Sequence, residues 1–198
     1  MVQEDDWRMR AFLAPPTIKK NADRDVTYAE PSRQVFREGP LTKETIMTPR
    51  LNTFAAAPAP MKSWLDWSMG VQKNGLEDSL MELVKIRASQ INGCARCLHM
   101  HTADARKHGE TEERLYLLDA WRESPLYSER ERAALAWTEA LTLVSETHAP
   151  DDIYRALQAQ FTEHEQVTLT LLIVAINGWN RIQVGFRAVH PVEQRQAA

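Results

Sequence analysis

Glu82 to His101 reads ELVKIRASQINGCARCLHMH. The stretch holds both cysteines of the 198-residue chain, Cys94 and Cys97, as a C-x-x-C. Glu82 precedes Cys94 by twelve residues, and His101 follows Cys97 by four. Leu80, Leu83, Val84, Ile86 and Ile91 recur at helical spacing up to Asn92-Gly93, two residues that tolerate a left-handed backbone and so stop a helix. The next helix starts at or near Cys94 and runs to Lys107 or His108, with Gly109 as its cap. The stretch therefore reads as a helical hairpin with the cysteine pair at the mouth of its second arm.

The same period extends outward in both directions. From Pro58, the residues Met61, Trp64, Leu65, Trp67, Ser68 and Val71 repeat every three or four positions, and Gly75 ends the run. Thr111 to Glu113 opens a short helix with Leu115, Leu118 and Trp121, broken at Ser124-Pro125. Ser128 and Glu131 form a capping box ahead of Ala133, Ala134, Trp137, Ala140, Leu141 and Val144. Ala149 to Asp152 starts a helix through Tyr154 and Leu157. The last helix is expected from Thr162 or Glu163 to Val189, stopped by Pro191. No segment alternates as a strand would, and no internal repeat is evident. The expected fold is all-α, a bundle of about seven helices between residues 58 and 190.

Residues 1–46 differ. They carry Pro15, Pro16, Pro31 and Pro40, scattered charges and no sustained period, so a flexible N-terminal extension is expected, with an arm wrapping a neighbouring subunit as the functional alternative. Met47 would serve equally well as a start, and residues 47–198 are read as the domain. A hydrophobic content of 43% against 26% charged residues is that of a globular chain. The net charge of −3, without any Lys/Arg block, points away from nucleic acid. Two neighbouring cysteines cannot build a disulfide framework and suit a reducing compartment. The N-terminus does not resemble a signal peptide, and the run Leu171 to Ile176 is too short to span a bilayer. A cytoplasmic protein with no membrane partner is expected.

In an antiparallel hairpin, Glu82 and His101 fall at similar heights, roughly 15 Å and 12 Å from the turn at 1.5 Å per residue. Cys97 and His101 share a face, with Cys94 one turn above. Free N–H groups at the start of the helix favour a thiolate there. His101 can accept or donate a proton beside Cys97, and Glu82 can hold the imidazole in one tautomer or relay its proton. A thiolate with a second thiol three residues away can be oxidised by peroxide to a sulfenic acid and then closed to a disulfide. A c-type haem site would need His where Leu98 stands. A zinc site would draw on Cys94, Cys97 and His101 with Glu82 or His99, without the usual second Cys/His pair. No cofactor and no resident metal are expected. The plain alternative is a pair of inert core cysteines, with Glu82 in a solvated contact with Lys85 and His101, His99 and His108 on helix surfaces. Met81 and Met100 then read as core filler, and the tryptophans at 64, 67, 121, 137 and 179 as core or interface residues.

Glu82, Cys94, Cys97, His101 and Gly109, in the wording SQINGCARCLHMHTADARKHGETEERL, resemble the alkylhydroperoxidase D-like (AhpD-like) family of the carboxymuconolactone decarboxylase superfamily. The likeness continues through WRESPLYSERERAALAWTEALT and INGWNRI, covering roughly residues 48 to 190, and does not extend to residues 1–46. It implies an AhpD-like all-α fold, assembly into a dimer, trimer or hexamer, and thiol peroxidase chemistry. Carried over by position, Cys97 would be the peroxidatic thiol, Cys94 the resolving thiol, and Glu82 and His101 the proton relay. One position departs: familiar peroxidase members carry His directly before the second cysteine, where this chain has Arg96. A guanidinium stabilises a thiolate but cannot shuttle protons. Decarboxylase members lack the cysteine pair, which makes a lyase the weaker reading.

Two functions of different class follow. One is an oxidoreductase that reduces hydrogen peroxide or an organic hydroperoxide and is recycled by an external dithiol reductant. The other is a non-catalytic redox sensor or structural homo-oligomer in which the disulfide acts as a switch.

Overall fold

The structure is a computed structural model that describes residues 48–73 and 75–191. The expected N-terminal extension, residues 1–46, lies outside the described residues. Among the described residues there is no strand. The helices, in order, are α1 Thr53–Ala56, α2 Pro58–Val71, α3 Asp78–Ile91, α4 Ala95–Lys107, α5 Glu112–Leu117, α6 Glu129–Thr142, α7 Val144–Thr147, α8 Asp151–Gln160 and α9 Glu163–Gly185, with one 3-10 turn at Leu118–Ala120. Among the described residues, seven of the nine α-helices have six residues or more and match the expected bundle; α1 and α7 are four-residue turns that the helical period does not predict.

Helix α3 is the centre, packing against α4, α6 and α9. Its two sides feed two cores, which is why its apolar residues do not form one stripe. Leu80, Met81 and Val84 join Trp137, Leu157, Leu169, Leu172 and Ile173. Leu83 and Ile86 join Leu115, Leu118, Trp121 and Leu135. Helices α6 and α9 both begin with reciprocal capping boxes, Ser128 with Glu131 and Thr162 with Glu165.

A buried polar network ties the α3–α4 turn to α9. The amide of Asn92, the C-cap of α3, donates to Oδ1 of Asn177 and Oδ1 of Asn180, both at 2.9 Å. Asn180 in turn donates to Ser89 Oγ at 3.0 Å, and Asn177 to Thr142 Oγ1 at 3.0 Å. Gly178, between these asparagines, meets the Trp64 ring of α2: a Cβ placed there would lie 2.4 Å from Cζ2. Only glycine permits this approach.

The last helix ends sooner than expected, at Gly185 rather than near Val189. Arg187 takes a left-handed φ of 53°, and the Ala188 N–H returns to the Gln183 carbonyl at 2.8 Å, closing the helix. The chain then folds back over the start of α4. Arg96 donates to the Val189 carbonyl at 2.8 Å, and the His190 ring stacks on His99 with centroids 4.8 Å apart. Helix α6 also stops earlier than the apolar pattern suggests, at Thr142, and Val144 opens α7 instead.

Among the described residues α9 alone is long and apolar enough in composition to cross a membrane, with a mean hydropathy of 1.2, although its uninterrupted apolar run is short. Its inner face is committed to the bundle through Leu169, Leu172, Ile173 and Ile176, and it also buries Asn177 and Asn180.

Candidate active site

Asn92 and Gly93 reverse the chain, with Gly93 at φ 64°, and Cys94 then takes an extended conformation as the N-cap of α4. Its sulfur accepts the Cys97 N–H at 3.4 Å, so the first turn of the helix directs an amide at the pair. Cys94 and Cys97 are joined as a disulfide, with Cα atoms 5.4 Å apart. Both are buried, at 1% and 2% exposure, and pack with Ala88 and Ile176.

The hairpin brings Glu82 and His101 together, as their heights predicted. His101 Nδ1 lies 2.9 Å from Glu82 Oε2. The other carboxylate oxygen, Oε1, accepts from Lys85 Nζ at 2.5 Å. Lys85 Nζ also donates to Gln72 Oε1 of α2 at 3.1 Å. Glu82, Lys85 and His101 are 6%, 5% and 8% exposed, so this is a desolvated triad and not the solvated helix contact that spacing alone allowed. Burial pushes the Glu82 carboxyl up. The hydrogen bond to His101 and the charge of Lys85 outweigh it and hold the group below the ordinary carboxylate range.

Beside the triad lies a cavity of about 280 Å³. Cys97, His101, Lys85 and Gln72 contribute its reactive and polar wall. Leu65, Met69, Met100, Leu172, Ile176 and Trp179 supply its apolar walls. Cys94 does not line it. Met100, expected as core filler, is 48% exposed and forms part of this rim. Arg96 also lines the cavity, but one of its nitrogens is engaged by the Val189 carbonyl. His99 and His108 are exposed, as expected, and the Glu82, Cys94, Cys97 and His101 constellation is assembled in one place.

Lys85 and Gln72 are the polar residues that sequence reasoning undervalued. The available signal was a lysine inside the apolar run Leu83-Val84-Lys85-Ile86, at a position too buried to be left without a partner.

The model of the carboxymuconolactone decarboxylase family matches residues 58–140, the segment from α2 through most of α6 that contains all four candidate residues. The uncharacterised protein YdfG of Bacillus subtilis is 43% identical over 138 residues, which is 70% of this chain and 94% of YdfG. The chain belongs to the carboxymuconolactone decarboxylase family. Within the family its likeness is to the AhpD-like proteins. A solved structure from Agrobacterium tumefaciens, a protein of unknown function proposed for AhpD-type antioxidant defence, is 47% identical. It superposes with a TM-score of 0.72, covering 74% of this chain and all of that one. The alkyl hydroperoxide reductase AhpD of Hyphomonas neptunium is 36% identical over 63 residues, 32% of each chain.

Proposed function

We propose that this protein is a thiol peroxidase. The observation that carries the reading is that Cys97, and not Cys94, lines the cavity together with His101. In the reduced protein, the Cys97 thiol passes its proton to His101. The thiolate attacks the outer oxygen of a hydroperoxide, the S–O bond forms as the O–O bond breaks, and sulfur loses the two electrons that the peroxide gains. The alkoxide or hydroxide that leaves takes the proton from His101 and departs as alcohol or water. Cys94 then attacks the sulfenic acid, expelling water and forming the disulfide seen here. An external dithiol reduces it, becoming a disulfide itself and restoring both thiols. Glu82 orients the imidazole through Nδ1.

The apolar walls favour an organic hydroperoxide over hydrogen peroxide, because burying a hydrocarbon body adds affinity that the smaller substrate cannot gain. A homo-oligomer in a reducing cytoplasm belongs to the same proposal. It is supported by the exposed Trp67, Met69, Leu171 and Val174 and by a cysteine pair suited to turnover.

The test is oxidation of the separate cysteine variants followed by turnover. Cys94→Ser should form a sulfenic acid on Cys97 that a dimedone-type probe traps; Cys97→Ser should form none on Cys94. Wild-type protein with a dithiol donor should consume many equivalents of cumene hydroperoxide. Consumption of a single equivalent would identify a sensor, and a sulfenic acid trapped on Cys94 alone would reverse the assignment.

A further inference from the structure

Lys85 is a lysine at 5% exposure on the central helix, and it lines the same cavity as Cys97 and His101. A lysine this buried is rare without a specific partner. It has two: Glu82 Oε1 at 2.5 Å and Gln72 Oε1 at 3.1 Å. Glu82 thus stands between two groups, the ammonium on one oxygen and His101 on the other. The neighbouring charges are few. On α4, Asp104 lies within electrostatic reach of His101 and Lys85 and is engaged by Lys107. Helix α2 offers the uncharged Gln72, and α9 the uncharged Gln183. Arg96 stands on the cavity wall, and α6 meets α3 through Glu139, which Arg87 holds.

Two routes are open to the proton that leaves Cys97. If it stops at His101, the imidazolium lies between a carboxylate and a thiolate, and the Lys85–Glu82 ion pair stays intact. If it continues to Glu82, Lys85 is left as a buried ammonium facing a neutral carboxyl. Breaking a buried ion pair in that way is strongly unfavourable. The first route keeps every charge beside an opposite one.

We propose that Lys85 is a positioning residue of the thiol chemistry: it keeps Glu82 ionised throughout, so that the proton from Cys97 is held on His101 and goes no further. This rests on the thiol peroxidase reading for its purpose, but not for its test. Glu82 becomes a fixed anion that orients His101, not a member of a relay. The proton then stays at the cavity wall, where the leaving oxygen can recover it.

The test uses the reduced protein and no peroxide. The rate of Cys97 alkylation by iodoacetamide is measured from pH 5 to 9 for wild type and Lys85→Met. Loss of a charge partner at this distance typically moves a buried carboxyl by about 1–3 pH units. The carboxyl of Glu82 should then stay protonated to higher pH and support His101 less well. The acid limb of the alkylation profile should move up by about one unit or more, a loss of about fivefold or more at the wild-type midpoint. A limb that stays in place while the unfolding midpoint falls would make Lys85 merely structural and overturn the proposal. A second readout does not depend on the folding of Lys85→Met. The infrared difference between wild type and Glu82→Gln should show an ionised carboxylate before and after Cys97 loses its proton. A protonated-carboxyl band that grows as the thiolate forms would also overturn it. Neither readout involves turnover, so absence of peroxidase activity would count against the proposed function alone.

Discussion

Asn180→Ala is expected to destabilise the fold by about 2–4 kcal/mol, and the figure can be assembled from its contacts. The side chain is fully buried. It accepts from Asn92 at 2.9 Å and donates to Ser89 Oγ at 3.0 Å. Each such bond contributes about 0.5–1.5 kcal/mol net. The partners are not wholly orphaned: Asn92 keeps Asn177, and Ser89 still donates to the Lys85 carbonyl at 2.7 Å. That caps the unsatisfied-group penalty, while the vacated space in a close-packed interior adds a cavity cost. Set against a typical total of about 5–15 kcal/mol, the loss is large.

The assay is urea unfolding of the oxidised protein at one fixed protein concentration, which holds any effect of association constant. The midpoint should fall with the slope unchanged. A double-mutant cycle with Asn92→Ala should show coupling, because the two side chains share a hydrogen bond. Because Asn92 caps α3 immediately before Gly93-Cys94, the variant should also close its reduced pair to a disulfide more slowly. A destabilisation below about 0.5 kcal/mol, the size of an ordinary surface change, would refute the claim that this network pins the turn.

Two further outcomes follow from the packing and charge of α9. Thr162 N–H and Arg130 hold Glu165 well below its ordinary value of 4.5, at about 2, so its contribution is complete above pH 4.5 and disappears as pH falls toward 2. The thermal midpoint should drop through that window, and Glu165→Gln should be less stable at neutral pH but flatter there; an identical acid limb in the variant would show that other groups carry it. Gly178→Ala should destabilise despite the helix preference of alanine, about 1 kcal/mol, because the Trp64 ring must move from 2.4 Å; a raised thermal midpoint would show that the ring yields freely.

The bundle was legible because its signals are local. Asn92-Gly93, Gly109 and the Ser128–Glu131 capping box act through their own backbone, so helices α3, α4 and α6 start or stop where those residues stand, and α9 starts at the expected Glu163. What escaped depended on contacts distant in sequence. The left-handed turn that closes α9 falls on Arg187, two residues after Gly185, at a position that no glycine or asparagine marks. The path of Val189 and His190 over α4 is set by Arg96 and His99, about ninety residues earlier. The pairing of Glu82 with His101 was readable from hairpin geometry. The involvement of Gln72 was not, because it comes from the packing of a third helix.

Lys85 shows where reading by spacing fails in a more general way. A Glu–Lys pair three residues apart has one appearance in sequence and two in structure. At the surface it is worth a few tenths of a kcal/mol and is screened by salt. Here both side chains are less than a tenth exposed, and the same pair fixes the charge state of the carboxylate that holds His101. The apolar neighbours decide between the two cases: Leu83, Val84 and Ile86 are all 1% exposed or less, so the helix is enclosed around Glu82 and Lys85 and gives that pair no solvent side. Arg96 fits this arrangement. In the position where a histidine would add a proton carrier, its guanidinium clasps the Val189 carbonyl and offers no acceptor for a proton. With Arg96 unable to carry a proton and Glu82 held as an anion by Lys85, His101 is left as the base beside Cys97. Substituting His101 should therefore cost more of the thiol's reactivity than substituting Glu82, which acts only through it.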